Sequence, residues 1–400
     1  MKYKLKDIIT FKPGYAFKKS DMTDTGIELV KIGNLKNNKV IIPSGVKIKE
    51  DTKFKDFIIN KGDILMALTG DPVYKGSIQT WVGRTSMYLN NKVAYLNQRV
   101  CKLMPNEKII LNDYLYYWLI RHDKTYEIAG LFHGSANQAN ISHKEVGEMF
   151  IELPSLEIQK KASKILSDID KKINLNNEIN NNLHDLAEQQ FNEFYLTGVP
   201  QKLEELLSNI SAGSRPKGGA QKSGIPSIGA EKIEKFGVYD YSSEKYISEE
   251  YYDKLKKGRL NSGDVLLYKD GAYTGKVSMC LNGFPYTKAA INEHVFILNT
   301  RNNWAQNYLY FSLYNKDTKE ILRRLASSKA AQPGLNQEEL KSVEIQICDN
   351  EDIIDFENRV KPIMKKIANN SLENKRLSKL RDTLLPKLMN GEIDLKNIEI

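Results

Sequence analysis

Two periods of apolar residues alternate along this chain. Short runs such as IELVKI, DILMAL and RVCKLM are apolar or alternating and are bounded by Gly, Asn and Asp, which predicts strands. The stretch LNDYLYYWLIR (111–121) carries aromatic and Leu residues at helical spacing, which predicts a helix facing a core. Two longer stretches keep a helical pattern throughout, from about Ser155 to Tyr195 and from about Asp352 to Asn390. Neither FKPGYAFKKS (11–20) nor SAGSRPKGGAQKSG (211–224) has a strand or helix period, so both read as glycine-bearing basic loops.

The elements recur. INKGDILMALTG (59–70) answers to LNSGDVLLYKDG (260–271), and YLNQRVCKL (95–103) to AINEHVFIL (290–298). LYYWLI (115–120) answers to LYFSLY (309–314), and SANQANISHKEV (135–146) to KAAQPGLNQEEL (329–340). Four matches in one order predict a tandem duplication, each half a mixed α and β unit followed by a long helix.

In heptad register the first long helix places Leu166, Ile173, Asn180, Ala187 and Phe194 at one seam position. Ala162, Ile169, Asn176, Leu183 and Gln190 take the other. The second helix aligns after a shift of 194 residues: Val360, Ile367, Asn374, Arg381 and Leu388, with Phe356, Ile363, Asn370, Leu377 and Leu384. Ile169, Ile173, Asn176, Asn180 and Leu183 thus correspond to Ile363, Ile367, Asn370, Asn374 and Leu377. A buried Asn costs stability but fixes register, because only a polar partner satisfies its amide. A solvated face is the other reading of these Asn residues; the shared register favours the seam. Helices of this length span roughly 60 Å. Packed antiparallel, they would hold one unit at either end about a pseudo-two-fold. Pro362 should kink the second helix or mark a late start.

Length predicts at least two domains, and 41% hydrophobic with 27% charged residues describes an ordinary soluble globular chain. The formal charge of +9 favours an acidic partner, nucleic acid being the commonest. Cys101, Cys280 and Cys348 form no CxxC pair and fit buried thiols in a reducing compartment. The N-terminal MKYKLKDIITF lacks a signal peptide's apolar run, and no stretch approaches a membrane helix, so a cytoplasmic location is expected.

Candidate chemistry is thin. TGDPVYKG (69–76) approaches the DPPY signature of adenine methyltransferases, but one position is wrong and no glycine-rich cofactor turn precedes it. GAYTGKVS (271–278) imitates a phosphate-binding loop, with the glycine spacing short and Val277 where Ser or Thr should hold magnesium. The five histidines are scattered, with no HExxH site. No catalytic residue and no metal site is predicted, which points to binding and positioning.

LPSLEIQKKASKILSDIDKKINLNNEINNNLHDLAEQQF (153–191) resembles the first conserved helix of the specificity subunits of type I restriction–modification systems. LSKLRDTLLPKLMNGEI (377–393) is similar to that family's C-terminal signature. The GDIL and GDVL turns and the loops around Gln138 and Gln332 resemble its target-recognition domains. ICDNEDIIDFENRVKPI (347–363) departs by lacking the LP-x-L-x-x-Q start seen after the first unit. The resemblance implies an α+β fold: recognition domains at 1–153 and 198–346, and spacer helices within 154–197 and 347–400, forming an antiparallel coiled coil. It implies that each domain reads half of a split double-stranded DNA target, and that the helices set the gap and dock two methyltransferase subunits. Those subunits would bind S-adenosylmethionine and methylate adenine N6. Restriction and motor subunits would add ATP- and Mg-dependent translocation and cleavage. The chain itself would hold no cofactor and no active site. A coiled-coil protein scaffold and a stand-alone DNA-binding protein are the alternative readings.

DNA-contacting candidates are cations and amides on loops that recur in both halves. In the first half these are Lys12, Tyr15, Lys18, Lys19, Lys75, Asn137 and Gln138. In the second they are Ser214, Arg215, Lys217, Lys269, Tyr273, Lys276, Lys329 and Gln332. Solvated lysines and structural glutamines would produce the same pattern. Two heads reading different sequences should differ at their reading residues, and Gln138 and Gln332 recur.

Overall fold

The computed structural model describes residues 1–36, 38–42, 45–133, 139–271, 273–327 and 334–398. It divides into two compact units, Met1–Asp170 with Lys379–Ile400, and Lys171–Ser378. Both divisions fall inside the long helices, so each unit contains one globular head and a portion of both helices.

In the first unit the main sheet has the order Ile9–Pro13, Val100–Pro105, Ile64–Ala67, Thr85–Met87, followed by the short strands Lys39–Val40 and, at the edge, Leu35–Lys36. In the second the order is Leu207–Ala212, Val295–Thr300, Val265–Tyr268, Val277–Met279. The order along the chain is the same in both. Each head also carries a smaller sheet in which one strand pairs parallel to another: Ala94–Leu96 beside Ile27–Val30, and Ala290–Ile291 beside Ile225–Ile228. A two-stranded antiparallel clasp closes each head, Lys2–Lys4 with Phe150–Glu152 and Val199–Lys202 with Glu344–Ile347.

The GDIL and GDVL motifs explain the central strand. Ile64, Leu65, Met66 and Ala67 are all fully buried, and Val265 and Leu267 on one face with Leu266 on the other are buried too, so these strands run apolar on both faces. Gly62 and Gly263 precede them with φ of +94° and +98°, which an L side chain rarely adopts. The following aspartate then closes the turn: Asp63 Oδ2 accepts from the Asn60 amide and Asp264 Oδ2 from the Asn261 amide, both at 2.7 Å. The aromatic helices Asn112–Leu119 and Gln306–Tyr314 are core, with Tyr114 and Tyr308 almost wholly enclosed. Cys101, Cys280 and Cys348 are buried free thiols, and burial pushes Cys101 up to about 12.

Two expectations are corrected. Phe11–Pro13 and Ser211–Ala212 end strands rather than lying in loops, because they pair with Val100–Pro105 and Val295–Thr300. Such edge pairing leaves no periodic signature in so few residues. The second long helix runs from Asn350 to Met389 through Pro362, so the proline does not mark a late start. A proline removes one intrahelical bond, from the carbonyl four residues back. Here Asn358 and Pro362 are both exposed, so water can serve that carbonyl. No helix among the described residues is long and apolar enough to cross a membrane.

Candidate nucleic-acid interface

Three segments meet on each head, held by the same backbone bonds. In the first unit the Leu68 amide donates to the Arg99 carbonyl at 2.9 Å, and the Ile141 amide donates to the Leu68 carbonyl at 3.1 Å. In the second the Lys269 amide donates to the His294 carbonyl at 3.1 Å, and the Leu335 amide to the Lys269 carbonyl at 2.8 Å. A glycine loop closes over this frame. A Cβ on Gly14 would lie 2.2 Å from the Asn97 carbonyl oxygen, and one on Gly213 would lie 2.1 Å from that of Ile291. Only glycine fits either approach. The glycine-bearing stretches of the sequence are thus the points where one loop presses on another backbone.

The candidate residues divide by environment. Lys18 and Lys19 are exposed, as are Lys75, Arg215 and Lys217. Lys12 is half-buried, 3.7 Å from Asp56 and over the Phe57 ring. The Tyr15 ring packs among Phe17, Phe54 and Phe57, with centroids 5.0 to 5.2 Å apart, so it belongs to a hydrophobic cluster. Ser214 Oγ lies 2.9 Å from the Tyr251 hydroxyl. Lys269 Nζ sits 2.6 Å from Asp270. Lys276 pairs with Glu234 and lies over the ring of the exposed Tyr273. Asn137, Gln138, Lys329 and Gln332 lie outside the described residues.

The frame also brings together residues that sequence reasoning passed over. His294 Nδ1 is 3.3 Å from Asp270 Oδ2, and its Nε2 is 3.5 Å from Glu293 Oε1. Arg215 Nη1 lies 3.6 Å from the same Glu293 oxygen. Arg215, Glu293 and His294 line a cavity of about 120 Å³ with Ser214 and Lys245. In the first head the matching positions are Gln98 and Arg99, both exposed. Their signal was present in the repeat, where polar residues interrupt YLNQRV and AINEHV at the same place.

The long helices run antiparallel within the second unit. Asn176 Nδ2 donates to Asn374 Oδ1 at 2.9 Å and to Glu373 Oε2 at 2.8 Å, and Asn370 Nδ2 donates to Asn180 Oδ1 at 2.9 Å. Asn180 Nδ2 in turn reaches Ser371 Oγ at 3.1 Å. Asn176, Asn180 and Asn370 are buried. The 194-residue shift turns one Asn–Asn pair into the other. Ile173 and Ile367 are buried beside them, while Ile169, Leu183, Ile363 and Leu377 are half-buried. In the first unit Arg381, at a heptad seam position, meets Asp170 at 2.8 Å, and the Tyr117 hydroxyl donates to the other Asp170 oxygen at 2.8 Å.

Duplicated mixed heads and a polar-registered helix pair define a class of protein that presents two related binding surfaces. The family model of the type I restriction modification DNA specificity domain matches residues 1–185. The HindI specificity subunit of Haemophilus influenzae is 22% identical over 92% of this chain and 94% of its own length. The MjaIX specificity subunit of Methanocaldococcus jannaschii is 25% identical over 76% of this chain and 73% of its own. Among solved structures, the type I restriction–modification S subunit from M. genitalium shares the fold, with a TM-score of 0.59 at 16% identity, covering 97% of this chain and 95% of that one. Residues 1–185 are thus similar to the type I restriction modification DNA specificity domain, and the relatives matched over most of this chain are specificity subunits of type I restriction enzymes.

Proposed function

We propose that the chain is the DNA-recognition subunit of a type I restriction–modification complex. Each head reads one half of a bipartite duplex target. The helices set the gap between the halves and dock two methyltransferase subunits, and restriction and motor subunits complete the assembly. S-adenosylmethionine belongs to the methyltransferase subunits, and ATP and Mg to the motor subunits. This chain contributes binding and spacing, not bond-breaking chemistry.

The observation that carries this reading is the shared three-segment frame, built twice with the same backbone bonds and different side chains. A protein scaffold would account for the helices but leaves the duplicated basic heads without a role. Coexpression with a type I methyltransferase subunit, followed by mapping of methylated adenines, tests the proposal. A bipartite motif with a constant gap is the expected result; a continuous motif, or none, would refute it. Binding to duplex DNA that weakens steeply with salt separates it from the scaffold reading.

A further inference from the structure

The geometry points to one turn in each head as the place where bases are read: Asn97–Arg99 in the first and Asn292–His294 in the second. Gln98 and Arg99, and Glu293 and His294, would make the base-edge contacts. This rests on the DNA-reading function proposed above and names the residues that carry it.

The two turns share one scaffold. The Asn97 amide donates to the Val30 carbonyl at 3.1 Å, and the Asn292 amide to the Ile228 carbonyl at 3.0 Å. Each asparagine then folds back on its own turn: Asn97 Oδ1 accepts from the Arg99 amide at 3.4 Å and Asn292 Oδ1 from the His294 amide at 3.0 Å. Its carbonyl accepts from the first residue of the next strand, Val100 at 2.9 Å and Val295 at 3.4 Å. The carbonyl of the third residue is held by Leu68 or Lys269. Packing and hydrogen bonding therefore require the asparagine and the backbone path, and both recur.

Nothing in that scaffold requires the two residues after the asparagine, and these are where the heads differ. The first turn presents an amide and a guanidinium, the second a carboxylate and an imidazole. Gln pairs with adenine, Arg with the O6 and N7 of guanine, and Glu accepts from cytosine N4. The first pair is exposed, and the second is half-exposed and held by neighbouring charges. Among the described residues none hydrogen-bonds the side chain of Gln98 or Arg99. Glu293 Oε2 is enclosed with no hydrogen-bonding partner, and Glu293 lines the cavity together with Arg215, so this carboxylate keeps an unsatisfied acceptor that a small side-chain rotation would turn to a base amino group. Asp270 holds the His294 ring from the other side. Phosphate-contacting lysines would not need to differ between heads, because phosphates carry no sequence.

The test exchanges the two turns in the full chain assembled with its methyltransferase. Gln98→Glu with Arg99→His puts the second head's pair on the first scaffold, and Glu293→Gln with His294→Arg does the reverse. Selection from randomised duplexes and methylation mapping read out the motif. The first variant should change base preference by roughly 5- to 150-fold at one or two positions of a single half-site. The other half-site and the gap should remain. The reverse variant should alter only the other half-site. If an exchange prevents assembly, Gln98→Ala with Arg99→Ala should relax preference at the same positions. Unchanged preference at both half-sites, or a loss of affinity equal for every duplex, would overturn the inference. An unexchanged complex that selects no bipartite motif would instead overturn the function on which it rests.

Discussion

The Asn180–Asn370 contact can be taken apart by a double-mutant cycle. Asn370→Leu removes the donor that reaches Asn180 Oδ1 at 2.9 Å, in a site where Asn180 is 7% and Asn370 3% exposed. The stranded oxygen costs about 1–3 kcal/mol, since water cannot replace the lost bond. Asn180→Leu strands the Asn370 amide in the same way and also takes a donor from Ser371 Oγ. With both residues changed to Leu, no amide is left unpaired. Ser371 Oγ keeps the Gly237 and Ile367 carbonyls as acceptors at 2.7 and 2.9 Å. Apolar area is gained, and the double variant should be near neutral or more stable. The coupling should therefore be about 2 kcal/mol or more. For a unit of this size, each kcal/mol moves Tm by about 2–4 °C, so each single variant should melt about 2–12 °C lower and the double variant near the parent. Differential scanning calorimetry of all four proteins measures it. Additive single effects, with coupling below about 0.5 kcal/mol, would show that the pair is not a mutual hydrogen-bonding unit. Changing Asn176 and Asn374 as well should keep stability but permit wrong registers or self-association, visible by light scattering.

The spacing role is tested by lengthening both helices at facing positions, four residues between Lys172 and Ile173 and four between Leu377 and Ser378. This adds roughly 6 Å and about 40° beyond one turn, so the methylated motif should keep its half-sites and gain about one or two base pairs between them; altered half-sites with an unchanged gap would refute it. Asp170→Asn should cost the first unit about 2 kcal/mol, because Arg381 and Asp170 are only 22% and 16% exposed and the guanidinium loses its facing charge; an unchanged melting temperature would contradict this. His184 is held down to about 3 by burial and by the Lys235 and Lys319 charges. Its neutral form is favoured on folding, so its contribution is present above the unfolded value near 6.5 and is lost as pH falls towards 3, by at most about 1.4 kcal/mol per pH unit. His184→Gln should flatten the acid limb of the stability profile in that window.

Much of this protein was legible in the order of its residues. The duplication, the two long helices and the asparagine register all follow from periodicity, because a helix or strand repeats its burial at a fixed interval. The GDIL and GDVL turns were visible as motifs, although their cause, a glycine at positive φ followed by a capping aspartate, appears only in three dimensions. The interface was less legible. Tyr15 looks like a loop aromatic in the sequence and is a cluster residue in the fold, since its neighbours Phe54 and Phe57 come from a distant segment. Gln98, Arg99, Glu293 and His294 sat inside a recognised repeat yet carried no motif of their own. What marks them is that three segments far apart in sequence meet there through backbone bonds, and backbone bonds leave no residue signature. Pro362 shows the same limit from the other side: a helix breaker by composition, it is tolerated because tertiary packing leaves that turn open to water. Local periodicity determined which elements exist; long-range contact decided which of their side chains are left free to act.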